Sequence, residues 1–73
     1  MESSGAYKIV IEPLSEADGG GFLATVPELP GCMSDGETRV EALRNVEDAI
    51  ATWIHSARKL GRTIPKPHLY RAA

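Results

Sequence analysis

The chain has 73 residues, 42% of them hydrophobic and 25% charged, a formal net charge of −2, one cysteine and two histidines. That length describes a single small domain, 1–73, near the lower limit for independent folding, and the composition excludes a disordered chain. It also excludes a membrane-spanning helix, because no run approaches the roughly 20 apolar residues that one requires.

The opening Met1-Glu2-Ser3-Ser4-Gly5 has neither a basic end nor an apolar stretch, so it does not read as a signal peptide, and residues 1–6 are expected to form a tail. Residues 7–12 alternate in part: Tyr7, Ile9 and Ile11 fall on one face of a first strand and Val10 on the other. Pro13 ends that strand or bends it at a sheet edge. Residues 15–21, with Asp18 followed by three glycines, predict a hairpin connection. A second strand over 22–26 then shows Phe22, Ala24 and Val26 to the core.

The segment from Val26 to Thr38, V-P-E-L-P-G-C-M-S-D-G-E-T, is the densest part of the chain. Pro27 and Pro30 remove two backbone donors, so this piece belongs outside a sheet interior. Gly31 and Gly36 permit positive φ, and Asp35-Gly36 is a turn dipeptide. A short third strand is expected over 31–34. Thr38 and Glu41 fit a capping box that opens the apolar run Val40, Leu43, Val46, Ile50. The helix is predicted over 39–60, with Ala42, Leu43, Val46, Ala49, Ile50, Trp53, Ile54, Ala57 and Leu60 on one side. Gly61 is placed to end it and Pro65 follows. The tail 64–73 either stays irregular or adds a fourth strand, which its two prolines would confine to an edge. The implied class is α+β: a two-layer, three- to four-stranded antiparallel sheet backed by one helix, in the order of a partial RNase H-like fold.

Residue chemistry argues against catalysis. Gly19-Gly20-Gly21 lies between strands and lacks the Lys-Ser/Thr pair of a phosphate loop. His55 and His68 are thirteen apart with no further ligand at helical spacing, so no metal site is expected. Cys32, alone, reads as a buried core thiol in a reducing cytoplasm. Two-metal nucleases of RNase H-like fold need clustered carboxylates. Glu12 ends a strand here, Asp18 and Asp35 are explained as turn residues, and no later strand carries a second pair. No catalytic residue and no cofactor is predicted.

Charge is uneven. Residues 1–48 hold all ten acidic side chains and three basic ones, whereas 49–73 hold five basic and no acidic ones. Helix charges partly complement the helix dipole. That does not account for Glu12, Glu16, Asp18, Glu28 and Asp35, which lie outside the helix. An acidic surface favours a basic partner, and Arg58, Lys59, Arg62, Lys66 and Arg71 form a second set suited to nucleic acid.

The block from Val26 to Thr38 and the helix after it resemble the HicB-like antitoxin family, whose small domain carries V-P-x-L-P-G-C-x-S-x-G-x-T. The opening strand, Phe22-Leu23-Ala24, Glu41-Ala42-Leu43, Ala49-Ile50, Trp53-Ile54 and the exit Gly61-Arg62-Thr63-Ile64-Pro65 also match. The resemblance implies an antitoxin of a type II toxin–antitoxin pair that masks HicA, a small basic mRNA-cleaving toxin. Glu12, Asp18, Glu28, Asp35 and Glu37 are the expected partner-binding residues. Many relatives carry a C-terminal DNA-binding domain. A chain ending at Ala73 is expected to be a short form that does not bind operator DNA by itself. Its small core and two-faced first strand predict a homo-oligomer, dimer or tetramer. The alternatives are a solitary oligomeric scaffold or regulatory module without a toxin, or a weak nucleic-acid binder using the basic end.

Overall fold

The structure, a computed structural model, describes residues 6–67. Three antiparallel strands, β1 (Val10–Pro13), β2 (Phe22–Thr25) and β3 (Met33–Gly36), form a sheet in the order β1-β2-β3, and one helix, α1 (Arg39–Lys59), packs against it. The register pairs Val10 with Thr25 and Met33, Ile11 with Ala24 and Ser34, Glu12 with Leu23 and Asp35, and Pro13 with Phe22 and Gly36.

The expected first strand over 7–12 is shorter at its start and includes Pro13. The cause lies in β2. At Val26 the chain turns away, the Val26 N–H donating to the Cys32 carbonyl at 3.0 Å, so residues 7–9 have no strand beside them. Lys8 N–H, which the ladder would have used, donates to Glu28 Oε1 at 3.2 Å instead. Pro13 fits because Leu14 N–H donates to the Gly21 carbonyl; by alternation, residue 13 points its backbone away from β2, where a missing N–H costs nothing.

The third strand was expected over 31–34, yet it runs two residues later. Two successive turns fill the space before it: Leu29 N–H donates to the Val26 carbonyl, and Cys32 N–H to the Leu29 carbonyl. Pro30 and Gly31 hold the second turn, with Gly31 at φ 79°, the left-handed geometry a type II turn needs at that place. Together the turns drive Leu29 into the core at 0% exposure. Asp35-Gly36 is therefore strand and not the turn that the dipeptide suggests. Gly36 lacks positive φ and is needed for close approach, since a Cβ there would lie 2.4 Å from Ala42 N.

The helix follows its sequence signals. Thr38 caps it, Oγ1 accepting from Glu41 N–H at 3.1 Å, while Glu41 Oε1 accepts from Glu37 N–H at 3.3 Å, one residue before the usual capping-box donor. At the far end Gly61 N–H donates to the Arg58 carbonyl and Arg62 N–H to the Ala57 carbonyl, a Schellman pair. Ala42, Val46, Ile50 and Ile54 are buried on Tyr7, Ala24, Val26, Leu29 and Cys32, and Ala57 is buried nearer the end of the helix. Ala49, Trp53 and Ile64 pack at the margin. Leu43, Val40 and Leu60 depart from the predicted apolar stripe; Val40 is 59% and Leu60 67% exposed. A sheet of three strands is too narrow to cover the flanks of the helix. Residues 62–67 carry no strand, although the Tyr7 hydroxyl donates to the Pro65 carbonyl and ties this segment to the start of the chain. The rest of the predicted edge strand lies outside the described residues.

Candidate interaction surface

Strand alternation divides the sheet into two faces. Ile11, Phe22 and Ala24 look toward α1. Val10, Thr25 and Met33 form one row on the opposite face, and Glu12, Leu23 and Asp35 form the next. No element among the described residues covers that second face. Two strand spacings separate Glu12 from Asp35, about 10 Å, with Leu23 between them. The result is an apolar strip of Val10, Leu23 and Met33 beside two exposed carboxylates.

Asp35 also borders a polar cleft of about 460 Å³, lined by Gly19, Gly20, Gly21, Gly36, Glu37, Glu41 and Asn45. Asn45 Nδ2 donates to the Asp35 carbonyl at 2.8 Å, holding α1 to the edge strand. Arg39 lies 4.9 Å from the centre of the Phe22 ring, a cation–π contact that seats the helix start on β2.

The five expected partner-binding residues thus occupy different settings. Glu12 and Asp35 share one row, and Glu37 stands beside Asp35 across the cleft. Asp18 is engaged in its own turn, where Ser15 Oγ donates to Asp18 Oδ2 at 2.8 Å and accepts from Asp18 N–H at 3.3 Å. Glu28 sits at the other end of the sheet on Lys8 N–H, so it has a structural task. Leu23, Thr25 and Met33 were absent from the sequence expectations, although they are the residues of the two strands that alternate with the core positions.

Strand order explains the charge pattern. Glu12, Asp18, Asp35, Glu37 and Glu41 gather where β1 and β3 end and α1 begins. Arg58, Lys59 and Arg62 lie at the helix C-terminus, near the start of β3, with Lys66 exposed on the segment beyond. Arg71 and His68 lie outside the described residues. His55 is on the exposed helix face, as its spacing predicted.

Cys32 is buried at 4% exposure, and burial pushes its thiol above the ordinary range, disfavouring the thiolate a nucleophile needs. Among the described residues no group of three His, Cys, Asp or Glu side chains is disposed to hold a metal ion. No described helix is long and apolar enough to cross a membrane.

The described residues thus form a small two-layer α+β domain with an open, acid-flanked sheet face. Residues 7–72 match the HicB-like antitoxin family of bacterial toxin–antitoxin systems. The chain belongs to that family. It is 37% identical over 60 residues to a UPF0150 protein of Thermoplasma acidophilum, a match covering 82% of this chain and 83% of that one. A second UPF0150 protein, from Synechocystis, is 37% identical over 59 residues, 81% of this chain and 77% of its own. Antitoxin HicB 1 of Photorhabdus laumondii is 33% identical over 61 residues, 84% of this chain but 37% of that longer protein.

Proposed function

We propose that this chain is the antitoxin of a type II pair, acting in the cytoplasm by binding and masking a HicA-like mRNA-cleaving toxin, without chemistry of its own. The observation that carries this reading is the bare sheet face, apolar along Val10, Leu23 and Met33 and flanked by Glu12 and Asp35. A protein that cleaves RNA must attract phosphates with a basic surface. An acidic, partly apolar face competes for that surface: its carboxylates speed encounter and its apolar strip holds the complex once water is expelled. Family membership supports the antitoxin role, and the acidic end supplies the complementary charge.

Charge reversal tests the surface. Glu12→Lys with Asp35→Lys is expected to slow toxin association by roughly tenfold or more, and the loss should shrink as salt screens the encounter. Glu16→Lys with Asp48→Lys, on the 3-10 turn and on α1, serves as a comparison of equal charge change away from the row. Association rates measured by surface plasmon resonance at several salt concentrations decide the matter. Equal effects from the double variant and the comparison would remove the sheet face from the binding surface.

A further inference from the structure

We propose that the basic end of this chain binds single-stranded nucleic acid, one base entering the groove beside Trp53 and the neighbouring phosphates meeting Lys59, Arg62 and Lys66. The groove shares only Met33 with the sheet face assigned above to the toxin, so the proposal stands apart from that assignment.

The groove, about 400 Å³, opens between the start of β3 and the second half of α1. Cys32, Ala57 and Leu60 make it apolar, and Leu60 is 67% exposed. Trp53 lines it half-buried, its indole N–H donating to the Pro30 carbonyl at 2.9 Å. With its one polar atom spent in this way, the side chain offers the groove only π surface. A ring already held in place stacks a planar base at little cost in entropy. Thr52 and Ser56 add hydroxyls on the helical wall, where they can hydrogen-bond the edge of that base.

Charge selects the occupant. Among the described residues no carboxylate lines the groove, although the chain carries ten. Arg62 does line it, and Lys59 follows Ser56 by three residues, which sets it on the same row of the helix. Lys66 is exposed on the segment beyond. The Tyr7 hydroxyl, donating to the Pro65 carbonyl, draws that segment toward the start of the chain. The three cations therefore mark a path that leaves the groove and crosses the end of the domain. Lys59 complements the helix dipole, whereas Arg62 and Lys66 lie beyond the helix and have no such task.

These features fit a single strand better than other polyanions. In a duplex the bases stay paired and stacked, out of reach of the indole, whereas a splayed base can enter a groove of this size. A run of Asp and Glu side chains brings charge but no planar group for Trp53. An anionic lipid surface brings its charge in a plane, which leaves a half-buried indole untouched.

Trp53 is the chain's one tryptophan, so its fluorescence reports stacking directly. Titrating the full chain at low salt with a short oligouridylate or oligothymidylate is expected to quench it, with a dissociation constant of about 10⁻⁴–10⁻⁶ M. Three phosphate contacts predict that log K falls against log salt with a slope of roughly −2. Arg62→Glu with Lys66→Glu should weaken binding at least roughly tenfold, with the helical circular dichroism unchanged. Arg62→Gln with Lys66→Gln replaces that variant if it fails to fold, and Leu23→Ser on the bare face should leave binding as it was. Stronger quenching by the uridylate names RNA as the ligand, stronger quenching by the thymidylate names DNA, and either supports the site. Three results would overturn the proposal: no quenching at millimolar strand, binding that leaves Trp53 unquenched or survives the charge changes, or equal quenching by a duplex, by polyglutamate or by phosphatidylglycerol vesicles.

Discussion

Gly36→Ala is expected to lower the stability of the domain by about 3 kcal/mol or more, at the upper end of overpacking costs. A Cβ at position 36 would stand 2.4 Å from Ala42 N and 2.8 Å from Glu41 C. Both are backbone atoms of the first helical turns, so no side chain can rotate out of the way. The start of α1 must lift from the end of β3, taking the Thr38 cap and the acidic cleft with it. A chain of this size has roughly 4–11 kcal/mol in total, so much of its stability is at stake. Urea unfolding followed by Trp53 fluorescence measures the loss. A midpoint equal to that of the unaltered protein would mean that the helix and strand are not packed this closely.

Ile50→Ala is expected to cost about 2–5 kcal/mol, the range for truncating a large aliphatic side chain in a tight core. Ile50 is 0% exposed, in the middle of α1, within a cluster that includes Ala24, Leu29 and Val46. Among the described residues, one helix and three strands share this one core cluster, so no second core compensates. The same denaturation experiment gives the number, and a loss below about 1 kcal/mol would show that the site collapses around the cavity.

Local signals in the sequence account for most of the architecture. The helix is bounded by Thr38 and Gly61, which act through bonds within a few residues of themselves, and its inner face follows a period that buried Val46, Ile50 and Ile54 obey. The displaced strands had non-local causes. β1 starts at Val10 because β2 turns away at Val26, and β3 starts at Met33 because two turns occupy 26–32. Asp35-Gly36 misleads for a similar reason: the dipeptide suits a turn, yet Gly36 serves a contact with a helix six residues ahead. The surface was only half readable. Composition nominated carboxylates, but strand register decides that Glu12 and Asp35 flank Leu23 while Glu28 is spent on Lys8 N–H.

The masking of a ribonuclease by this chain is tested most directly by mixing the purified protein with the product of the adjacent gene and following cleavage of RNA. The account predicts that cleavage falls in proportion to added chain and stops near equivalence, and that the chain alone cleaves nothing with or without Mg²⁺. A ribonuclease that stays fully active beside an excess of the folded chain would contradict it.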